Sequence, residues 1–145
     1  ATVVNAIQDA EQALEQTGID TADSIMATAI DNYFKEYVLA EATVTPTSGT
    51  QAVNANTVFN DSLLNYRTVR FYMKRSTGNI DYIPHYEVTH EEMVNICARN
   101  VNHSLLIPGC ASEYRQMTFN ADGTVCTAVA GSECCYKVIG IGKLN

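Results

Sequence analysis

Up to about residue 42 the chain places its apolar residues at helical spacing. Val3, Ile7, Ala10 and Leu14 recur every three or four positions, with Gln8, Asp9, Gln12 and Glu15 between them. Ala22, Ile25, Met26, Ala29, Ile30, Tyr33, Phe34, Tyr37 and Val38 continue the rhythm. Apolar residues at a period near 3.6, with polar ones on the other side, mark an amphipathic helix. The spacing predicts helical stretches over about 2–16 and 22–42. Gly18 falls between them, and a glycine costs about 1 kcal/mol in a helix interior. It either kinks one long helix or ends the first, in which case Asp20 or Thr21 caps a restart. Unbroken, a helix of about 40 residues would reach roughly 60 Å. That exceeds the width of a domain of this size, so part of it would project or meet a partner.

The pattern changes near residue 43. The stretch 43–57 is rich in Thr, Ser, Asn and Ala, with Pro46 and Gly49, and reads as a loop long enough to make contacts. Alternation follows: Arg67, Val69, Phe71 and Met73 form the more apolar side of a strand, and Tyr66, Thr68, Arg70, Tyr72 and Lys74 the other. Ser76, Thr77, Gly78 and Asn79 predict a turn, with a second strand through Ile80, Tyr82 and Ile83 that Pro84 ends or confines to an edge. Thr89 and Glu92 have capping-box spacing, predicting a short helix over about 90–99 with Met93, Ile96 and Cys97 on one face. Leu105, Leu106 and Ile107 run into Pro108-Gly109. Strands over 114–119, 124–129 and 134–141 close the chain, separated by turns at Ala121-Asp122-Gly123 and 130–133. No internal repeat or low-complexity tract stands out. Helix first and antiparallel strands after predict an α+β class: a long N-terminal helix packed on an antiparallel β-sheet, with a short second helix. The chain reads as one domain over 1–145, with a helical spine over 1–42 and a loop-and-sheet head over 43–145.

Composition narrows the chemistry. The chain has 145 residues, of which 9 are basic and 16 acidic, for a net charge of −7. No cationic surface for nucleic acid is expected. No apolar run is long enough to span a membrane, and no signal peptide opens the chain. A membrane attachment would therefore come from a segment outside this sequence. The five cysteines, Cys97, Cys110, Cys126, Cys134 and Cys135, all lie in the last 49 residues. Such clustering points to cross-links and an oxidising compartment. Spacing does not choose among the arrangements of two bonds and one remaining thiol. The favoured one joins Cys97 to Cys134 or Cys135, and Cys110 to Cys126. The first bond would close a loop of nearly 40 residues, worth about 3–4 kcal/mol in the chain-entropy model. The cysteine spacings fit no usual zinc pattern, and no signature around any cysteine makes a nucleophile with His85, His90 or His103 as base. Phosphate-loop, zincin, nucleophile-elbow and dinucleotide motifs are absent, and Gly140-Ile141-Gly142 reads as a strand end. Asn60-Asp61-Ser62 and Asn102-His103-Ser104 match a glycosylation acceptor, a pattern common by chance. Tyr66, Tyr72, Tyr82, Tyr86 and Tyr114 suit a half-buried sheet, or a surface for carbohydrate or a partner. No enzyme, metal or cofactor is expected.

The order of elements resembles the soluble part of a type IV pilin or pseudopilin. The segment 22–37, in which small and apolar residues lead to Tyr33 and Tyr37, is similar to the end of a pilin spine helix. The segment 89–97, with Glu92, Met93, Val94, Ile96 and Cys97, resembles the helix that bears the first disulfide cysteine in the type IVb branch. The stretch 117–145, through Cys126, Cys134 and Cys135, is similar to that branch's last strands. The resemblance implies a non-enzymatic filament subunit that has lost its apolar N-terminal membrane segment. In it Val3, Ile7, Ala10 and Leu14 form the assembly face, and Cys97 with Cys134 or Cys135 staples the C-terminal region. Its partners would be copies of itself or related pilins, and its place a cell-surface filament, extracellular or periplasmic. The alternative is a secreted, disulfide-stabilised binding module or adhesin outside any filament, with a host-surface or carbohydrate ligand.

Overall fold

The structure, a computed structural model, describes residues 2–42, 51–75, 85–101, 104–108 and 113–144. The chain divides into two compact units, Ala1–Phe34 and Lys35–Asn145. The first is a single helix, α1 (Thr2–Phe34), of 33 residues, about 50 Å long at 1.5 Å per residue. It passes through Gly18 without a break. The Thr17 and Thr21 hydroxyls donate to the carbonyls of Ala13 and Thr17, one turn back, at 2.9 Å each. A Thr21 hydroxyl engaged in this way does not cap a restart, and the amide ladder continues.

Among the described residues, the second unit holds eight strands and a short helix: β1 (Glu36–Glu41), β2 (Thr57–Val58), β3 (Tyr66–Arg75), β4 (His85–Thr89), α2 (His90–Arg99), β5 (Leu105–Pro108), β6 (Tyr114–Phe119), β7 (Val125–Ala130) and β8 (Glu133–Lys143). A 3₁₀ turn, Leu63–Asn65, precedes β3. The protein is α+β, with a long N-terminal helix and antiparallel strands. The strands form two four-stranded sheets rather than one, in the orders β1-β8-β3-β4 and β2-β7-β6-β5.

The expected helix over 22–42 stops at Phe34. Its last part is β1, which pairs antiparallel with β8 from Glu36 opposite Ile141 to Glu41 opposite Lys137. Tyr37 fits the helical spacing of Tyr33 and Phe34 and also, with Leu39, a period of two, and a waiting strand edge decides between them. In the same unit, α2 forms as its spacing predicts. Thr89 Oγ1 accepts a hydrogen bond from the Glu92 amide at 3.3 Å, Met93 and Cys97 are buried, and Asn100 closes the helix in the left-handed region. β3 pairs antiparallel with β4, placing Thr68 opposite Thr89 and Tyr72 opposite His85. The expected turn at 76–79, the strand through Ile83 and Pro84 lie outside the described residues.

β8 occupies the middle of the first sheet, with β1 on one side and β3 on the other. Gly140 fixes its seat. A Cβ at this position would stand 2.4 Å from the Tyr66 ring, so the aromatic ring covers the bare backbone of the glycine. The apolar cluster draws on both sheets and α2: Val69, Phe71, Met93, Met117, Phe119 and Val138 are all fully buried. Phe119 of the second sheet meets Phe71 of the first at a ring separation of 6.2 Å. Buried Arg115 of β6 joins the two sheets through residues 51–53. It donates to Gln51 Oε1 and to the Val53 carbonyl at 3.0 Å each, and Gln51 Oε1 also accepts from the Cys135 amide. Between β6 and β7, Gly123 has a φ of 67° and its amide donates to the Asn120 carbonyl, making the tight turn that Asp122-Gly123 predicts.

Gly140→Ala should force the Tyr66 ring and β8 apart. We expect a loss of roughly 1–3 kcal/mol, read as a lower urea midpoint with tyrosine fluorescence as the probe.

Candidate functional site

Three regions carry the residues that the sequence singles out. The first is the surface of α1. Val3, Ile7, Ala10 and Leu14 lie in one helix and are all exposed, Val3 at 71% and Leu14 at 73%. Ile25, Met26 and Ile30 extend the exposed apolar surface toward Phe34. The helix contains Asp9, Glu11, Glu15, Asp20, Asp23 and Asp31 and not a single lysine or arginine. No helix among the described residues is long and apolar enough to cross a membrane.

The second region is the cysteines. No disulfide joins Cys97, Cys126, Cys134 and Cys135, and all four are buried. The expected staple from Cys97 to Cys134 or Cys135 is therefore not formed. Its geometry is wrong by a wide margin. Cys97 lies on the inner side of α2, beside Gly123 and the 3₁₀ turn that leads into Tyr66. Cys135 and Cys134 stand opposite Met73 and Lys74, at the far end of β3. Seven residues of strand span about 23 Å, whereas a disulfide needs its Cα atoms within roughly 7 Å. Cys110, proposed as the partner of Cys126, lies outside the described residues. Burial pushes the Cys97 and Cys126 thiols up to about 11 and that of Cys135 up to about 12, the last two against a smaller opposing pull from Arg115. These shifts run against the thiolate that a nucleophile or zinc ligand requires. No three His, Cys, Asp or Glu side chains converge among the described residues. His85 packs beside the Tyr72 ring, and His90 opens α2.

The third region is an open groove of about 610 Å³ lined by β1, the turn before β3 and the end of β8. Asp61 is its centre. Its Oδ2 accepts from the Tyr66 hydroxyl at 2.7 Å and pairs with Lys143 Nζ at 3.1 Å. Its Oδ1 accepts from the Ser62 amide and from Asn65 Nδ2, at 2.8 Å each. The Tyr66 hydroxyl first, then Lys143, Ser62 and Asn65, hold the carboxyl down at about 2, against partial burial that raises it. Burial and this same hydrogen bond push the Tyr66 hydroxyl up. Tyr37 packs against Tyr66 at a ring separation of 5.5 Å, with Lys35 and Lys143 ammonium groups 5.3 and 6.0 Å from its ring centre. The groove thus offers a half-buried aromatic ring, the carboxylates of Asp61 and Glu36, and the Lys143 cation. Sequence reading passed over Asp61 except as the middle of a glycosylation pattern. The available signal was local: Asp61 and Ser62 four residues before Asn65-Tyr66, a spacing that closes a side-chain-capped turn. On a nearby face, Arg70 bridges Glu36 and Glu87 and donates to the Tyr72 hydroxyl, while Lys137 sits over the Tyr72 ring.

Two outcomes follow from this chemistry. Asp61 titrates lower in the folded chain than in the unfolded one. The stability it contributes is complete above about pH 4 and lost as pH falls toward about 2. With its side chain 28% exposed to solvent, that contribution is about 1–2 kcal/mol after allowance for screening. Asp61→Asn should remove it, giving a flatter acid limb in urea midpoints measured between pH 5 and pH 2. Separately, an alkylating reagent at neutral pH should leave Cys97, Cys126 and Cys135 unmodified in the folded protein. All three should react once it is unfolded without reductant, as peptide masses would report.

No protein-family model, curated protein or solved structure matches this chain.

Proposed function

We propose that the chain is the structural subunit of an extracellular filament or secretion pseudopilus, a major or minor pilin or a pseudopilin, that assembles through α1. One observation carries this reading. A helix about 50 Å long exposes ten large apolar side chains, from Val3 to Phe34. Leaving such a side chain in water forgoes about 1.5–3 kcal/mol relative to burying it, and so many exposed large apolar side chains on one helix suit an interaction surface. The partners are copies of this chain or related subunits. The extracellular or periplasmic setting rests on the filament reading alone, since the buried thiols no longer argue for an oxidising compartment.

A second reading is favoured by the groove at Tyr37 and Asp61: a secreted binding module or adhesin without a filament. An aromatic ring beside fixed charges and amides suits a carbohydrate or other polar surface ligand.

Cells producing the protein should carry fibres visible by electron microscopy that contain this chain. Leu14→Glu should abolish them while leaving the amount of exported protein and the unfolding midpoint of residues 35–145 unchanged. Wild-type cells without such fibres would sink the filament reading. Binding to a glycan array that Tyr37→Ala removes would favour the second.

A further inference from the structure

Four consecutive residues of β1, from Glu36 to Leu39, line the groove. Their side chains alternate between the faces of the sheet, so what they share there is the edge of the strand. β1 is the outer strand of its sheet, with β8 on one side only. In an antiparallel pair, residues that exchange both backbone bonds with the partner alternate with residues that turn both groups away. The Lys35 carbonyl accepts from the Gly142 amide, so Lys35 and Tyr37 are of the first kind. Glu36 and Val38, opposite Ile141 and Ile139, are of the second. Asn60 shows the same direction. Its Nδ2 donates to the Val38 carbonyl at 3.0 Å, and its amide to the Leu39 carbonyl at 2.9 Å. The pairing shifts between Val38 and Ala40, which leaves Leu39 without a partner on β8 and its carbonyl free to turn outward. Asn60 thus fills the edge at 38–39 as a residue of an added strand would. The Glu36 amide and carbonyl and the Val38 amide make no such bond among the described residues.

We propose that the groove takes an extended peptide segment of a partner protein, which adds a strand to the open edge of β1 at Glu36 and Val38. The proposal rests on the binding-module reading of the groove and names the ligand as peptide rather than saccharide. Spacing favours a peptide. The open groups sit on residues two apart, about 6.8 Å along the strand, the repeat at which another strand presents its own donors and acceptors. A sugar ring has no such repeat. Counting hydrogen bonds points the same way. Asp61 already takes four donors, from Tyr66, Lys143, Ser62 and Asn65, about as many as a carboxylate holds. It has no lone pair left for sugar hydroxyls. Size agrees, since about 610 Å³ lies in the range of sites that enclose a ligand. Charge bears on the partner's side chains. Glu36 and Lys143 line the groove with opposite signs, so a segment uncharged at this point meets no like charge.

Amide hydrogen exchange of the full chain, read residue by residue by NMR, is the test. In the free protein the Glu36 and Val38 amides should exchange at least about tenfold faster than that of Tyr37. A capped hexapeptide of alternating threonine and valine, uncharged and strand-forming, should slow both by at least about threefold at about 5 mM. The same peptide N-methylated at alternate residues should not. Val38→Pro removes one open donor and no bond to β8, because an edge strand tolerates proline. It should weaken the hexapeptide by at least about tenfold, followed at the Glu36 amide, with the unfolding midpoint unchanged. If that variant unfolds, the two peptides compared on the wild-type chain still decide. Edge amides already slow in the free protein, or slowed alike by both peptides, would overturn the proposal. Slowing by maltohexaose and none by the hexapeptide would overturn it too, and would leave the groove a saccharide site. No response to either ligand would sink both the proposal and the binding-module reading.

Discussion

The last strand of this protein holds its first one. β8 enters between β1 and β3, so the backbone groups of residues 36–41 and of 66–75 are both satisfied by residues 133–143. Without β8, β1 has no partner and β3 keeps only β4. The seat is set by a missing side chain. Gly140 lets the Tyr66 ring lie against the backbone, and the hydroxyl of that ring then reaches Asp61. Asp61 in turn holds Lys143, and the Asn65 carbonyl accepts from the Leu144 amide at 2.7 Å. Ring, carboxylate and lysine thus tie the end of β8 to the turn before β3. The groove beside Tyr37 is a consequence of that closure, and its fixed charge is the group that anchors the strand.

Charge is divided unevenly between the two units. α1 carries six of the sixteen carboxylates and none of the nine cations, so nearly all of the net −7 resides on the helix. Residues 35–145 are close to neutral, and their charges pair locally, as Arg70 does with Glu36 and Glu87 and Lys137 with Glu41. An exposed pair of this kind adds little stability. Their effect is to leave the sheet face without a strong field, while the six carboxylates of α1 repel one another. At physiological salt the repulsion is screened beyond about 8 Å, whereas apolar burial is not.

The cysteines illustrate how position changes the meaning of a residue. Cys97, Cys126 and Cys135 fill the same apolar cluster as Phe71, Phe119 and Met93. There a thiol acts as a small hydrophobe. Burial raises its pKa, which disfavours the thiolate at neutral pH. Their clustering in the sequence reflects how much of the core the C-terminal strands supply.

Local patterns determined much of this protein. The helical period over 3–34, the alternation over 66–74, the Thr89 cap and the Asp122-Gly123 turn all form as written, because each rests on neighbours within a few residues. Tertiary structure decided what depends on distant partners. Tyr37 fitted helix and strand alike until β8, a hundred residues later, offered an edge. Cys97 and Cys135 were plausible partners until the length of β3 stood between them. Asp61 and Tyr66 were ordinary polar and aromatic residues until Gly140 brought ring and carboxylate together. Periodicity is a property of one segment, and register, distance and pKa belong to pairs that only folding brings into contact.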